Sequence, residues 1–267
     1  MRLNAVPQFQ GAVTKRAQEM PDGCIALATL ASRILDVPFN KVPQDRATSP
    51  TEAGVANRAI LTGPNLEAQR AAVAGIEEPI LTIGGDCGVE FEPIRVLRER
   101  YGTGLGVAWF DAHPDLKTPE DSNNGAYHAM VLAGLLGKGD PALTASQTVD
   151  PKKVALIDAR AAVTAERAAI DRGMGITTLE PATVLSGASH VYVHIDVDVL
   201  DPSEFDGHNM PEPNGLTIPQ LLASLDSLRE FNVVGAGITE CVGTAAQVAV
   251  LAPVIAKLGE LLQPTTA

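Results

Sequence analysis

Short apolar runs alternate with amphipathic segments along the whole chain. Runs rich in β-branched residues, such as 104–111 (GLGVAWFD) and 189–200 (SHVYVHIDVDVL), are typical of buried strands. The pattern predicts strands within 2–9, 78–86, 104–111, 152–159, 189–200 and 232–242, and helices within 21–35, 65–76, 90–102, 125–136, 165–173, 217–231 and 245–262. Strands that alternate with helices indicate a parallel sheet covered on both faces, with the chemistry beyond the carboxyl ends of the strands.

Composition limits the kind of protein this chain can be. Of its 267 residues 45% are hydrophobic and 19% charged, which predicts one globular α/β domain over residues 1–267. The net charge of −12 argues against nucleic acid or an anionic membrane as a partner. Three cysteines do not make a disulfide framework, and no apolar run approaches the length of a membrane span. We therefore expect a cytoplasmic protein.

Two groups of acidic residues follow predicted strands. Asp111, His113 and Asp115 are spaced two residues apart after one apolar run, and Asp196 and Asp198 end another. If both segments stay extended, the side chains of each group point the same way. Buried carboxylates on one face repel each other, and a divalent cation removes that penalty. Four carboxylates and an imidazole exceed the needs of one ion and predict a two-metal site bridged by carboxylate.

A structural explanation competes with this prediction at each acidic residue. A lone Asp at a strand end is usually a turn former or a helix cap. Asp201, which precedes Pro202, is expected to be a turn former of this kind. For the two acidic groups taken together no such role suffices, so metal binding is the better hypothesis.

Four motifs occur in a fixed order: GGD at 84–86, DAHPD at 111–115, HIDVDVLDP at 194–202 and GITE at 237–240. Together they resemble the arginase (ureohydrolase) family over roughly residues 80–245. The resemblance implies an α/β fold, a three-layer α/β/α sandwich with a mainly parallel eight-stranded sheet. It also implies two manganese ions per chain and hydrolysis of a linear guanidino or amidino C–N bond by a metal-bridging hydroxide. An arginine-like substrate that releases urea is the first expectation.

The same resemblance implies which residues hold the metals. Asp111 and Asp196 would bridge the two ions. Asp115 would complete one site, and His113 and Asp198 would complete the other. Asp115 is also expected to be one of the catalytic residues.

Further residues match the family's substrate and proton-transfer positions. Glu240 matches the carboxylate that pairs with the substrate guanidinium, and His128 lies thirteen residues after Asp115, where the family places its acid/base histidine. Lys117 and Asn124 lie in the loop that would bind the substrate carboxylate, although Lys117 is equally well explained as a solvated lysine. Glu166 lies near the position of an acid for the α-amino group. Family members are commonly homo-oligomers, trimers or hexamers.

One position departs from the family pattern. The family's first motif is normally Gly-Gly-Asp-His, whereas Cys87 follows Gly-Gly-Asp here. Cys87 could ligate a metal and favour a softer ion, leave the first site weak, or fill the core. The Nω-hydroxyarginine hydrolase of D-cycloserine biosynthesis also carries Cys here, which makes release of hydroxyurea an alternative. A metal-poor, inactive subunit of the same fold is a third hypothesis.

Overall fold

One parallel sheet organises the chain. The computed structural model describes residues 1–263, so the last four residues of the predicted domain 1–267 lie outside the described part. Its strands are β1 (Arg2–Val6), β2 (Phe39–Lys41), β3 (Ile80–Gly84), β4 (Leu105–Phe110), β5 (Val154–Ile157), β6 (Ile176–Thr178), β7 (His190–Asp196) and β8 (Val233–Thr239). They form an eight-stranded sheet in the order β2-β1-β3-β8-β7-β4-β5-β6, and every pairing is parallel.

Helices cover both faces of this sheet. They are α1 (Met20–Leu35), α2 (Arg58–Ile60), α3 (Leu66–Val73), α4 (Phe91–Tyr101), α5 (Val131–Leu135), α6 (Thr164–Asp171), α7 (Pro181–Leu185), α8 (Ile218–Asp226) and α9 (Ala252–Leu261). Alternate residues of β4 divide between two cores: Phe110 packs with α1, α8 and α9, whereas Trp109 packs with α4 and α5. This arrangement is the expected three-layer α/β/α sandwich.

Local sequence signals account for the ends of several helices. Gly102 and Gly173 follow α4 and α6 with φ of 56° and 88°, which suits glycine at a helix end. Thr217 caps α8 by accepting the Gln220 N–H. Asn65, directly before α3, does not cap that helix: its backbone is helical, and its side chain instead accepts the Asp45 N–H. Among residues 1–263, no helix is both long and apolar enough to cross a membrane.

The Gly-Gly-Asp segment ties the N-terminal loop to the end of β3. Asp86 is fully buried, and its carboxylate accepts hydrogen bonds from Gln8 Nε2 at 3.0 Å and from the Gly11 and Gly88 N–H groups at 2.9 Å. Burial nevertheless raises the pKa of Asp86 to about 6. The segment therefore fixes the backbone that carries Cys87 at the carboxyl edge of the sheet.

Gly85 lies where two backbones approach too closely for a side chain. Its N–H donates to Val6 O, its carbonyl accepts the Glu240 N–H, and a Cβ here would lie 1.7 Å from Gln8 O. We expect Gly85→Ala to lower the free energy of unfolding by about 2–3 kcal/mol, because the backbone must shift to relieve the overlap. Urea denaturation followed by circular dichroism measures this loss.

Gly187→Ala is the matched control for that substitution. A Cβ at Gly187 would meet only Lys153 Cε at an ordinary 3.7 Å, so its effect should stay within about 0.5 kcal/mol. Equal stabilities of the two variants would show that the close approach at Gly85 does not constrain the fold.

Candidate metal centre

The chain turns immediately after both strands that carry the acidic groups. Asp111 Oδ1 accepts the His113 N–H at 2.6 Å, and Asp115 has a left-handed φ of 49°. In the same way Asp196 Oδ1 accepts the Asp198 N–H at 2.8 Å, at the start of a short 3₁₀ turn. The condition that these segments stay extended is therefore not met. Aspartate side chains that bind the backbone two residues on form such turns.

The turns nevertheless bring the predicted ligands together with two further residues. The potential ligand atoms of each of three groups lie within 4.8 Å of one another: Cys87, Asp111, Asp115 and His194; Asp111, His113 and Asp198; and Cys87, Asp196 and Glu240. We call the first the Cys87 group and the second the His113 group. Asp111 belongs to both, which is the position that a bridging carboxylate requires.

The His113 group has the geometry of an oxygen- and nitrogen-rich cation site. His113 Nδ1 lies 2.9 Å from Asp198 Oδ2 and 3.7 Å from Asp111 Oδ1, while Nε2 lies 3.6 Å from Glu212 Oε1. Burial opposes protonation of this imidazole, yet the Asp111 and Asp198 carboxylates raise its pKa to about 12. The two carboxylates therefore demand a cation, either a proton on His113 or a metal ion.

Burial and mutual repulsion dominate the electrostatics of the remaining carboxylates. They raise the pKa values of Asp115 and Asp196 well above the usual range, and that of Asp198 to about 6. The same two causes raise the pKa of the buried Cys87 thiol. Asp115 Oδ2 is buried without a hydrogen-bond partner. Such an unpartnered oxygen among acids fits a divalent cation, which would replace the protons.

His194 and Glu90 belong to this centre and were missed in the sequence. His194 is fully buried, stacks on Trp109 with 3.6 Å between ring centroids, and places Nδ1 3.3 Å from Glu90 Oε2. His194 lies within an apolar run, and such a run predicts a core position. One signal could have found it: in a strand, His194 and Asp196 are two residues apart and share a face.

Glu240 and His128 form a pair beside the centre. His128 Nδ1 lies 3.0 Å from Glu240 Oε1, which also accepts the Cys87 N–H, and Asn209 Nδ2 donates to Glu240 Oε2 at 2.6 Å. Burial alone would lower the pKa of His128, but the neighbouring carboxylate raises it; His128 in turn lowers the pKa of Glu240 against the effect of burial. The sequence carried no signal for Asn209.

A small cavity connects the centre to solvent. Its volume is about 140 Å³, and its lining residues are Val13, Thr14, His113, Asp115, Lys117, Asn124, Ala126, His128, Ala129, Asp196, Asp198, Met210 and Glu240. Two larger clefts, of about 480 and 630 Å³, lie elsewhere and contain none of the grouped ligands, so neither cleft holds the metal-binding side chains.

The predicted substrate-binding residues lie at different distances from this cavity. Lys117 and the exposed Asn124 line it. Glu166 is buried, is absent from the cavity lining, and accepts the Val163 N–H at the start of α6. Its role toward a substrate amino group stays a prediction. Asp201 is a turn former as expected, since it accepts N–H groups from residues 203, 214 and 215.

Comparison with known proteins identifies the relatives of this arrangement. The arginase from Bacillus caldovelox is 30% identical over 193 residues, which are 63% of this chain and 64% of that protein. The agmatinase from Chromobacterium violaceum is 31% identical over 60% of this chain and 49% of its own length. The chain thus spans less than two thirds of either relative.

Structural comparison extends the likeness to the whole fold. The solved arginase from Bacillus caldovelox superimposes with a TM-score of 0.84 at 23% sequence identity, covering 100% of this chain and 99% of that one. Residues 36–258 match the model of the family described as "Arginase family". Since that match spans most of the sequence, this chain belongs to the arginase family of ureohydrolases.

Proposed function

We propose that this chain hydrolyses a C–N bond of a linear guanidino or amidino compound and releases urea. One observation carries the proposal: buried carboxylates with an unpartnered oxygen meet a His128–Glu240 pair in a single small cavity. The pair supports cation binding and proton transfer, and the carboxylates support metal binding. Family membership supports the reaction class. All eight strands belong to one sheet, which supports a single domain.

The proposed roles of the cavity residues follow from their charges. Glu240 is a buried carboxylate whose Oε2 is oriented by Asn209, so it would neutralise a cationic guanidinium at the base of the cavity. His128 would leave its contact with Glu240 when substrate enters. As the imidazole at the cavity wall, it would then donate a proton to the leaving amine.

Two divalent cations per chain are part of this proposal. When bound, they would supply a water of lowered pKa, and hence a hydroxide nucleophile near neutral pH. The His113 group offers only oxygen and nitrogen atoms, the set that manganese prefers, and we propose manganese there. Asp111 would bridge the two ions as a member of both ligand groups, Asp196 would bridge them from its position beside Cys87, and Asp115 would complete the first site.

The size and charge of the cavity narrow the substrate. Its volume of about 140 Å³ is far below the roughly 300–1,000 Å³ of pockets for drug-sized ligands, which favours one slim linear molecule. Lys117 in the lining supports a substrate that carries a carboxylate, such as arginine. One relative is named agmatinase, so a guanidino amine is the natural comparison. We also propose a cytoplasmic homo-oligomer, a trimer or hexamer as in the family.

A hydroxyguanidine is the second candidate substrate. The observation that favours it is Cys87, which lies in the metal cluster where the family has histidine. Release of hydroxyurea would then replace release of urea. An inactive, metal-poor subunit is the third candidate. It is disfavoured by the retention of five predicted ligands together with His128 and Glu240. The buried carboxylates among them repel one another and are desolvated, which opposes folding without any benefit to an inactive protein.

The test is product release from a substrate panel. The metal-depleted protein would be reloaded with Mn²⁺, Zn²⁺, Co²⁺ or Ni²⁺ and offered arginine, Nω-hydroxyarginine and agmatine. We expect urea from at least one guanidino compound, and a preference for arginine over agmatine if Lys117 binds the carboxylate. Hydroxyurea alone would establish the second candidate. No turnover with any pair of metal and substrate would overturn the proposal in favour of the inactive subunit.

A further inference from the structure

We propose that His194 ligates the first metal ion together with Cys87. The imidazole that the family supplies from its Gly-Gly-Asp-His motif on β3 would thus come from β7 in this chain. The first site would contain the Cys87 group: Cys87, Asp111, Asp115 and His194. This inference rests on the proposed function, because it specifies one of the two metal sites of that mechanism.

Distances within the Cys87 group suit one small cation. His194 Nε2 lies 3.9 Å from Cys87 Sγ and 3.7 Å from Asp111 Oδ2. Two ligand atoms bound at about 2.0–2.3 Å to one tetrahedral ion are about 3.3–3.8 Å apart. Only small side-chain movements separate the observed positions from a coordinated set. Asp115, whose Oδ2 is buried and without a partner, is the fourth member of the group.

Glu90 contacts the His194 ring in the way that carboxylates beside metal sites contact a metal-ligating histidine. Such histidines almost always donate the second ring N–H to a carboxylate or carbonyl, which fixes the ring. His194 Nδ1 lies 3.3 Å from Glu90 Oε2, and both side chains are fully buried. The ring also stacks on Trp109, at 24° between planes. Both contacts leave Nε2 directed at the cluster.

Gly237 provides the room that this arrangement needs. It pairs with His194 across β7 and β8, and a Cβ there would lie 2.0 Å from Glu90 Oε1. The Glu90 carboxylate therefore lies directly over the backbone of β8, under the metal cluster. A buried acid in the middle of a sheet face has no packing advantage over an apolar residue, but it is explained if it orients a ligand.

A competing interpretation makes His194 a buried cation that neutralises Asp111 without any metal. In that case the cluster would be closed by hydrogen bonds among its own members. It is not closed, because Oδ2 of Asp115, a member of the same group of residues, has no hydrogen-bond partner. The thiol of Cys87 packs at the edge of an apolar core and contacts Thr239 Oγ1 at 3.1 Å and Asp196 Oδ2 at 3.4 Å, so its sulfur is also within reach of the acidic cluster. A shared metal ion accounts for all four side chains.

The ligand chemistry predicts which ion the first site selects. A thiolate and an imidazole favour zinc, cobalt or iron over manganese, whereas the oxygen- and nitrogen-only His113 group suits manganese. The two sites of this chain should therefore differ in metal preference. A mixed centre, with a softer ion beside Cys87 and His194, is the consequence.

Cobalt titration of the metal-depleted full-length chain tests the inference. Cobalt bound to a thiolate gives an intense charge-transfer absorption in the near ultraviolet, which oxygen and nitrogen ligands do not give. We expect two cobalt ions per chain and this absorption in the parent protein. Cys87→Ser should abolish the absorption, and His194→Asn should lose one ion per chain. Glu90→Gln should weaken the first ion about 10–100-fold while retaining the absorption.

Matched variants separate ligation from packing. Cys24→Ser removes another buried thiol, on α1, and His190→Asn removes the histidine at the exposed end of the same strand β7. Both should bind two cobalt ions with unchanged absorption. If His194→Asn does not fold, the cobalt affinity of the first site in Glu90→Gln tests whether His194 is a ligand.

Two results would overturn the inference. Two tightly bound cobalt ions without thiolate absorption, together with unchanged binding in the His194 and Glu90 variants, would remove both proposed ligands and leave the hydrolase function intact. Failure to bind any cobalt would overturn the inference too. The release of urea from the substrate panel is measured separately, so failure of the proposed function is recognised independently.

Discussion

Asp111→Asn should abolish binding of both metal ions and lower turnover at least about 10³-fold. Asp111 is the only residue shared by the Cys87 and His113 groups, so both sites lose a charged ligand at once. A loss of about 4 kcal/mol of charge stabilisation from the bound cations corresponds to that factor. The Asn side chain has the same shape and can still accept the His113 N–H, so the turn should survive. Elemental analysis and urea release measure the two effects.

Asp201→Asn is the matched control for this prediction. Asp201 undergoes the same chemical change, lies five residues after Asp196, and is a half-buried turn former outside the ligand groups. It should retain two ions per chain and unchanged turnover. Retention of both ions by Asp111→Asn would contradict the bridging role proposed for Asp111.

Glu240→Gln should lower kcat/KM about 10²-fold while leaving two metal ions per chain. Glu240 is 2% exposed, and a guanidinium bound beside the neutral amide would lose its buried counter-charge. Breaking such a pair costs about 3 kcal/mol, which is about a 10²-fold change in rate. The amide oxygen can still accept the Cys87 N–H, so the local fold should persist. Steady-state kinetics and metal content are both needed.

Metal content decides between two roles for Glu240, because it also lies near Cys87 and Asp196. Loss of an ion from Glu240→Gln would make Glu240 a ligand and contradict its role as a substrate-binding residue. Glu180→Gln, at an exposed position before α7, is the control for the same substitution. Its kinetics and metal content should match those of the parent protein.

The sequence predicts the central strands and the functional residues at their ends well, because the signals for both lie close together in the chain. β4, β7 and β8 are long apolar runs that stop at Asp111, Asp196 and Glu240, so pattern and chemistry change at the same residue. The edge strands β2 and β6 were not predicted. Each has only three residues, mostly exposed, and no apolar run marks them.

The geometry of the ligands could not be predicted because it depends on tertiary contacts. Asp111 and Asp196 bend the chain by binding N–H groups two residues on, which strand alternation cannot anticipate. His194 is distant from Glu90 in sequence, and only the parallel register of β7 brings its ring over Trp109. A histidine in a buried strand usually belongs to the core. The contact of His194 with Glu90 is what favours a ligand role here.

The buried polar groups of the metal centre destabilise the fold, and this destabilisation indicates a functional role. Natural sequences break local rules mainly at functional sites. Here a glutamate, a histidine and a thiol are buried at the end of the sheet, beside carboxylates that repel one another. Metal ions would offset much of that penalty, because each would replace protons with a shared positive charge.

The number of metal ions per chain tests the central claim most directly. The purified protein would be equilibrated with Mn²⁺ and Zn²⁺, freed of unbound metal, and measured by elemental analysis against protein concentration. Two ions per folded chain are predicted. A folded chain that retains no metal under these conditions would contradict the account, because the buried carboxylates around Asp111 would then be neutralised by protons and by His113 and His194.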